Sequence, residues 1–248
     1  MKKYFYLILV TAGGILFNGC AKENEILKLI PLSDYYPLQV GKYITYNLDS
    51  TVFINFGAKD TVIKYQVKDL IDAKITDNLG RSAYRITRTI RKDATKPWTG
   101  NNTFMAVPTD NAIEFIENNL RFQKLTLPIQ EGRSWKGNTF IDTYSLYSDL
   151  KYLADWDYTY ESVGERETIG PYEFENRLIV KQRDEFLGQD PKLSNTQYAE
   201  KNFGLEKYAK GVGLVYKEFI HWEYQGAQPG RSAYFTGYGI KLTIIDHN

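Results

Sequence analysis

Residues 155–161 read Asp155-Trp156-Asp157-Tyr158-Thr159-Tyr160-Glu161, three aromatic side chains in strict alternation with polar ones. Neighbouring side chains of an extended chain point to opposite faces. A period of two therefore puts Trp156, Tyr158 and Tyr160 on one face of a strand and Asp155, Asp157, Thr159 and Glu161 on the other. A helix would scatter the same residues around its circumference. The pattern recurs outward in both directions. Ile44, Tyr46 and Leu48 alternate with Thr45 and Asn47. Ile63, Tyr65 and Val67 alternate with Val62, Lys64 and Gln66, and Tyr84 and Ile86 with Arg85 and Thr87. Leu178 and Val180 oppose Lys181 and Arg183, and residues 214–224 and 241–246 complete the set. Turn-forming residues separate these runs at 78–80, 96–100, 108–110, Gly132, 188–191 and 228–230. Helical signal is confined to 145–154, where Leu146, Leu150 and Leu153 share a stripe, and to 195–204. About ten strands in one chain predict an all-β fold with minor α, a single antiparallel β-barrel, half-barrel or sandwich.

Composition agrees. The 248 residues are 43% hydrophobic, 25% charged and 15% aromatic, which excludes wholesale disorder. Twenty tyrosines suit a pleated, half-buried surface. A net charge of +1 gives no basic field for nucleic acid. Two histidines and one cysteine leave few zinc ligands and no intrachain disulfide, so neither metal nor cofactor is expected.

The N-terminus carries the most specific signal. Lys2 and Lys3 precede an uncharged, mostly apolar stretch at 4–17, followed by Asn18, Gly19 and Cys20. Fourteen helical residues span roughly 21 Å, short of a hydrocarbon core of about 30 Å, so a signal peptide is favoured over a membrane span. A small residue directly before the cysteine resembles the bacterial lipobox, although Phe17 and Asn18 stand where Leu and Ala or Ser are usual. The resemblance implies that Cys20 carries a diacylglyceryl group and a palmitate-type acyl chain. Together these anchor a protein stably where a single chain would not. Loss of residues 1–19 removes Lys2 and Lys3 and no acid, which turns the side-chain charge from +1 to −1. Residues 21–25 resemble the short acidic tag that brings some Bacteroidota lipoproteins to the cell surface. The expected organisation is a signal peptide at 1–19, a lipidated tether at 20–33 and a β-rich domain at 34–248. The expected location is the outer membrane, facing periplasm or exterior. Ile26, Leu27, Leu29 and Ile30 make the tether too apolar to float freely.

Four segments resemble a family of Bacteroidota lipoproteins with no established activity. They are Tyr36-Pro37-Leu38-Gln39-Val40-Gly41 with Tyr43 and Tyr46, Glu131-Gly132-Arg133-Ser134-Trp135-Lys136-Gly137, Tyr208-Ala209-Lys210-Gly211-Val212-Gly213-Leu214-Val215, and Gly239-Ile240-Lys241-Leu242-Thr243-Ile244-Ile245-Asp246. Ile44 stands where the family often has Trp. The resemblance implies a fold and a compartment but no catalytic residues. Read physically, Gly211 and Gly213 suit positive φ or a bulge, Pro37 and Gly41 bracket a turn into the first strand, and Trp135 plugs one end of the core.

Catalytic signals are thin. Only His221 and His247 could serve as an imidazole base, His221 on the face opposite Ile220, Trp222 and Tyr224 and expected to be solvated. No nucleophile elbow, His-Glu-x-x-His helix or phosphate loop occurs. Asp155 and Asp157 lie about 6.6–7 Å apart along a strand, and Glu165 with Glu167 and Asp184 with Glu185 are similar pairs. All three read as ordinary polar strand faces, and no enzyme is expected. Aromatics are the better clue: Trp98 in a Pro/Gly/Asn-rich loop, the stripe Trp156, Tyr158 and Tyr160, and the pair Trp222 and Tyr224 are the candidate ligand-binding residues. Both stripes read more readily as core than as platform. The expected function is a membrane-anchored, non-catalytic binding or envelope-assembly module. The alternatives are a carrier or sensor of an amphipathic ligand in a half-barrel cavity, and a glycan-binding accessory or carbohydrate-active enzyme. The expected partners are the membrane, through the lipid anchor, and an envelope protein, glycan or amphipathic ligand.

Overall fold

The computed structural model describes residues 29–248. The signal peptide, Cys20 and the first part of the tether lie outside the described residues. A short helix α1 (Leu32–Tyr35) leads into β1 (Tyr43–Ile54), β2 (Lys59–Thr76), β3 (Ser82–Arg91), β4 (Thr99–Pro108), β5 (Ala112–Glu117) and β6 (Leu120–Thr126). The second half holds β7 (Ser134–Lys136), β8 (Asp157–Ile169), β9 (Tyr172–Gly188), β10 (Tyr198–Ala209), β11 (Gly213–Gln225) and β12 (Tyr234–His247). All twelve form one antiparallel sheet in the order β6-β5-β4-β3-β2-β1-β12-β11-β10-β9-β8-β7. First and last strands are neighbours, with Leu48 opposite Leu242 and Thr51 opposite Gly239.

A twisted sheet of this width curls until its edges meet. Here the edges are β6 and β7, and they meet without a regular ladder. Gln123 N donates to Gly137 O at 2.8 Å, and the Trp135 indole donates to Gln123 O at 2.8 Å. The Tyr160 hydroxyl accepts from Thr126 N and donates to Thr126 O. The result is a nearly closed barrel, which excludes the sandwich. Trp135 belongs to this seam, packed against Tyr158 and Tyr160, and does not plug an end of the core.

Two helical expectations are corrected. Residues 195–204 run into β10, because both edges of that segment find ladder partners, Glu185 and His221 flanking Asn202. Segment 145–154 contains a single 3₁₀ turn, Lys151–Leu153, within a long loop. The β5–β6 hairpin turns at Asn118 and Asn119, with φ of 51° and 62°, the left-handed pair that tight hairpins favour and asparagine tolerates.

Chain segments pack across both rims of the barrel. At the lower rim, where β1 starts and β12 ends, the N-terminal segment straps the opening. Gly211 N donates to Asp34 O at 2.7 Å, Lys210 pairs with Asp34 at 3.0 Å, and Leu32 and Tyr35 are buried. Packed structure therefore starts by Leu32, and Ile30 already touches the core. Towards the upper rim, the 137–156 loop folds over the barrel mouth and contributes the buried residues Ile141, Leu153 and Trp156. No described helix is long and apolar enough to cross a membrane.

Candidate functional site

Twelve strands enclose more space than their inward side chains fill. The remaining space forms two chambers along the barrel axis, of ≈ 80 Å³ below and ≈ 300 Å³ above. Glu117, Lys124 and Lys217 line both, so the floor of one is the roof of the other.

That partition is ionic. Lys124 Nζ on β6 lies 2.6 Å from Glu206 Oε1 on β10, and the Tyr208 hydroxyl donates to Glu206 Oε2 at 2.6 Å. Lys217 on β11, directly opposite Glu206 in the ladder, reaches across to Glu117 on β5 at 3.4 Å. Arg88 grips Asp69 with two bonds of 2.6 and 2.7 Å. Three cations and three anions balance. Burial alone would push Glu206 and Glu117 upward, but the surrounding lysines outweigh it and hold both carboxyl groups below their ordinary range. Lys124 is lowered by burial, only partly offset by Glu206. Lys217 is opposed by burial too, yet Glu117 and Glu206 leave it raised. Ion pairs that tie the β5–β6 wall to the β10–β11 wall fix the barrel's cross-section.

The upper chamber is aromatic. Phe122, Tyr152, Trp156, Tyr158, Phe219 and Tyr238 line it, with Leu120, Leu153 and Ile240. Trp156 stacks on Phe219 at 5.7 Å and is held by its indole donating to Tyr152 O at 2.6 Å. Gly204, the ladder partner of Phe219, makes this possible, since a Cβ there would stand 2.8 Å from Trp156 Cζ3. From the loop above, Tyr152 lays its ring on His221 at 3.8 Å. Burial lowers the His221 pKa. Gln182 sits at a bulge in β9, where Gly204 pairs with Arg183 and Leu205 with Lys181, leaving Gln182 opposite no residue. It lines the chamber, is 3% exposed, and its Nε2 has no hydrogen-bond partner among the described residues.

The sequence-predicted residues divide. Trp156 and Tyr158 line the chamber, while Tyr160 is used by the seam. Trp222 and Tyr224 face the other way. On the outer wall they cluster with Phe53, Phe186 and Phe235, Trp222 and Phe235 at 5.4 Å and Tyr224 and Phe235 at 4.8 Å. The expectation that this stripe is core is reversed: β11 turns Lys217, Phe219 and His221 to the lumen and its aromatic pair outward. His221 is correspondingly half-buried and stacked, not solvated. Trp98 lies in the β3–β4 connection under Arg91 and Lys68, 4.2 and 5.7 Å from the ring. It shares no ring contact with the other candidates among the described residues. Lys124, Gln182, Glu206 and Lys217 were invisible as a group, since nothing local distinguishes an inward lysine of a wide barrel from an outward one.

The carboxylate pairs weighed in the sequence are tied up in ion pairs. Asp155 and Asp157 flank Lys136, Glu165 and Glu167 flank Arg177, Asp184 pairs with Lys201, and Glu185 with Arg183. A different pair faces across the ladder, Glu200 and Glu223, beside an open cleft of ≈ 540 Å³ near the loop. Burial and Glu200 raise the Glu223 pKa, while Tyr198 and Asn202 donate to Glu200 at 2.7 and 2.6 Å. Among the described residues no three His, Asp or Glu side chains gather as a metal site.

No family model matches the chain, and no curated protein does. Among solved structures, the chain is similar to a Bacteroides fragilis protein described as exported, with a YmcC-like fold. The identity is 12%, the TM-score 0.42, and the match covers 86% of this chain and 99% of that one.

Proposed function

We propose that the chain is a lipid-anchored protein of the bacterial envelope that acts as a non-catalytic binding module, its ligand a small amphipathic molecule held in the barrel. One observation carries the binding reading. A ≈ 300 Å³ aromatic chamber is lined on one side by Tyr152, Leu153 and Trp156 of the 137–156 loop, and its ionic floor ties the facing walls together. Ligand pockets begin at about 300 Å³, so the occupant is small. The leader, the solitary Cys20 and the four segments similar to Bacteroidota lipoproteins support the compartment and the family.

The test is to extract the full chain gently from membranes and weigh it intact. A small-molecule adduct is expected, and it is lost in Leu120→Trp, which fills the chamber. Cys20→Ala is expected to leave the membrane fraction. Adduct-free protein indistinguishable from the Leu120→Trp variant removes the binding reading, and a Cys20→Ala protein that stays in the membrane removes the anchor.

A second reading rests on the outer wall. The cluster of Phe53, Phe186, Trp222, Tyr224 and Phe235 suits stacking against a sugar ring or an envelope protein. Trp222→Ala abolishing glycan or partner capture while leaving the chamber adduct intact would favour it.

A further inference from the structure

The geometry points to a second ligand site, on the outer wall, an inference that rests on the outer-wall reading above and not on the chamber: we infer that a trough beside Trp222 seats one uncharged pyranose ring of a glycan chain.

The trough is carved by glycine. Directly paired residues of neighbouring strands share a face, so the outward positions of β12 beside Tyr224, Trp222 and Ile220 are Phe235, Gly237 and Gly239. Two successive outward positions of this strand therefore carry no side chain, an arrangement that lets another molecule approach the backbone closely. Gly237 also holds a φ of 106°, which other residues adopt only under strain. Across the trough, Gly239 faces Thr51 of β1. The result is a depression of ≈ 210 Å³ walled by Trp222, Phe235, Phe53 and Thr51, with Asp60 and Lys192 beside them. Pockets for drug-sized ligands begin at about 300 Å³, so this one takes a single ring, with the rest of a chain lying outside it.

The walls supply an apolar face. Phe53 and Phe235 lie flat on each other, 5.4 Å apart at 8°, and cover one another. Trp222 instead meets Phe186 and Phe235 steeply, at 78° and 75°, and no ring among the described residues stacks parallel to its indole. A pyranose presents a flat face of C–H bonds, whose positive hydrogens are drawn to the negative face of an aromatic ring.

Asp60 and Lys192 supply the polar half. Asp60 is the ladder partner of Phe53, and Lys192 comes from the β9–β10 connection, its backbone N donating to Asp190 Oδ1 at 2.8 Å. Both side chains are exposed. One carboxylate and one ammonium cancel, so the trough gives a charged guest no advantage. Sugar hydroxyls can donate to the first and accept from the second. An apolar protein face would strip water from both charges and replace it with nothing, which favours the sugar over a protein partner.

The test titrates cellohexaose and chitohexaose, two uncharged chains of equatorially substituted rings, against the full chain by calorimetry. At least one is expected to bind, with an affinity that changes by no more than about twofold on a tenfold rise in salt. Trp222→Ala is expected to weaken binding by about tenfold or more, and Asp60→Asn and Lys192→Met by about threefold each. Ala58→Phe, at an exposed position that also lines the trough, gives the same loss without touching the core should Trp222→Ala fold poorly. Binding that survives both Trp222→Ala and Ala58→Phe, or that collapses with salt, overturns the inference. So does a failure of both hexasaccharides to bind. In that case the outer-wall reading stands, with a protein as occupant, if Trp222→Ala still abolishes partner capture, and falls too if it does not.

Discussion

The Tyr160 hydroxyl lies 2.8 Å from Thr126 N and 2.7 Å from Thr126 O, accepting from one and donating to the other. A single phenol thus stands in for a β-ladder partner at the one place where the sheet has none. Tyr160 is fully buried, and burial raises its pKa, so it stays protonated and able to donate. Tyr160→Phe is expected to leave a buried donor and acceptor unpaired and cost about 2–4 kcal/mol. Urea unfolding checks it: the midpoint falls while the slope is unchanged. A loss below roughly 0.5 kcal/mol would mean that the seam is held elsewhere.

The Lys124–Glu206 pair is buried on both sides, with side chains 8% and 1% exposed. Breaking it one side at a time strands a charge. Lys124→Met and Glu206→Gln are each expected to cost about 3–5 kcal/mol, whereas Lys124→Met with Glu206→Leu should cost clearly less than their sum. A double-mutant cycle on equilibrium unfolding reads the coupling. Additive losses would show that the two groups do not depend on each other.

Acid sensitivity follows from the same partition. Glu206 and Glu117 are held below their unfolded value of about 4.3 by neighbouring lysines, so they bind fewer protons folded than unfolded. Their contribution is fully present above that unfolded value and is lost as pH falls through the folded one. The contribution of these two groups should be nearly flat from pH 7 to about 5 and then drop. In Glu206→Gln the drop should be shallower. An equally steep fall in that variant would place the acid-labile group elsewhere.

Gly204 is the second point of close approach. A Cβ there would meet Trp156 Cζ3 and Gln182 Oε1, both at 2.8 Å. Gly204→Ala is expected to cost about 1–3 kcal/mol through overpacking and to shift Trp156 emission as the ring leaves Phe219. Unchanged stability and emission would mean that the ring has room to move aside.

His221 gives the loop a pH response of opposite origin to that of the carboxylates. Its pKa is lowered by burial, partly opposed by Glu200. It is flanked by Asn202 at 2.8 Å, by Glu200 and Glu223 on the neighbouring ladder positions, and by the Tyr152 ring. The unfolded histidine protonates first, near about 6.5, so stability at this site declines as pH falls from there towards the folded value. Amide protection factors across 137–156, corrected for the intrinsic pH dependence of exchange, should fall between pH 7 and 5. His221→Phe, which keeps a ring under Tyr152, should flatten that response. A profile unchanged by the substitution would assign it to another group.

Much of the barrel could be read from alternation alone, because period two survives whatever the strand pairs with. Trp156, Tyr158 and Tyr160 show this directly: all three are buried as the alternation implied. Alternation does not say which face is inner when both faces carry aromatics. On β11, Phe219 and Trp222 lie on opposite sides, and the paired ions of a wide lumen reverse the usual polarity. Over 195–204 the local helical preference is weak, and the two flanking strands decide the conformation. The site depends on groups brought together from β5, β6, β9, β10 and β11, far apart in sequence. Gln182 in particular gives no local sign that its amide will end unpaired.

Because β1 and β12 are adjacent while β6 and β7 share only a loose seam, the chain divides naturally near residues 127–133 into two six-stranded ribbons. The regular ladder between those ribbons joins the first strand to the last, so a nick in the 127–133 connection would sever no strand. The two fragments should reassemble through the β1–β12 edge, with Tyr160 and Thr126 re-forming the closure, so that the molecule behaves as a non-covalent heterodimer of its own halves.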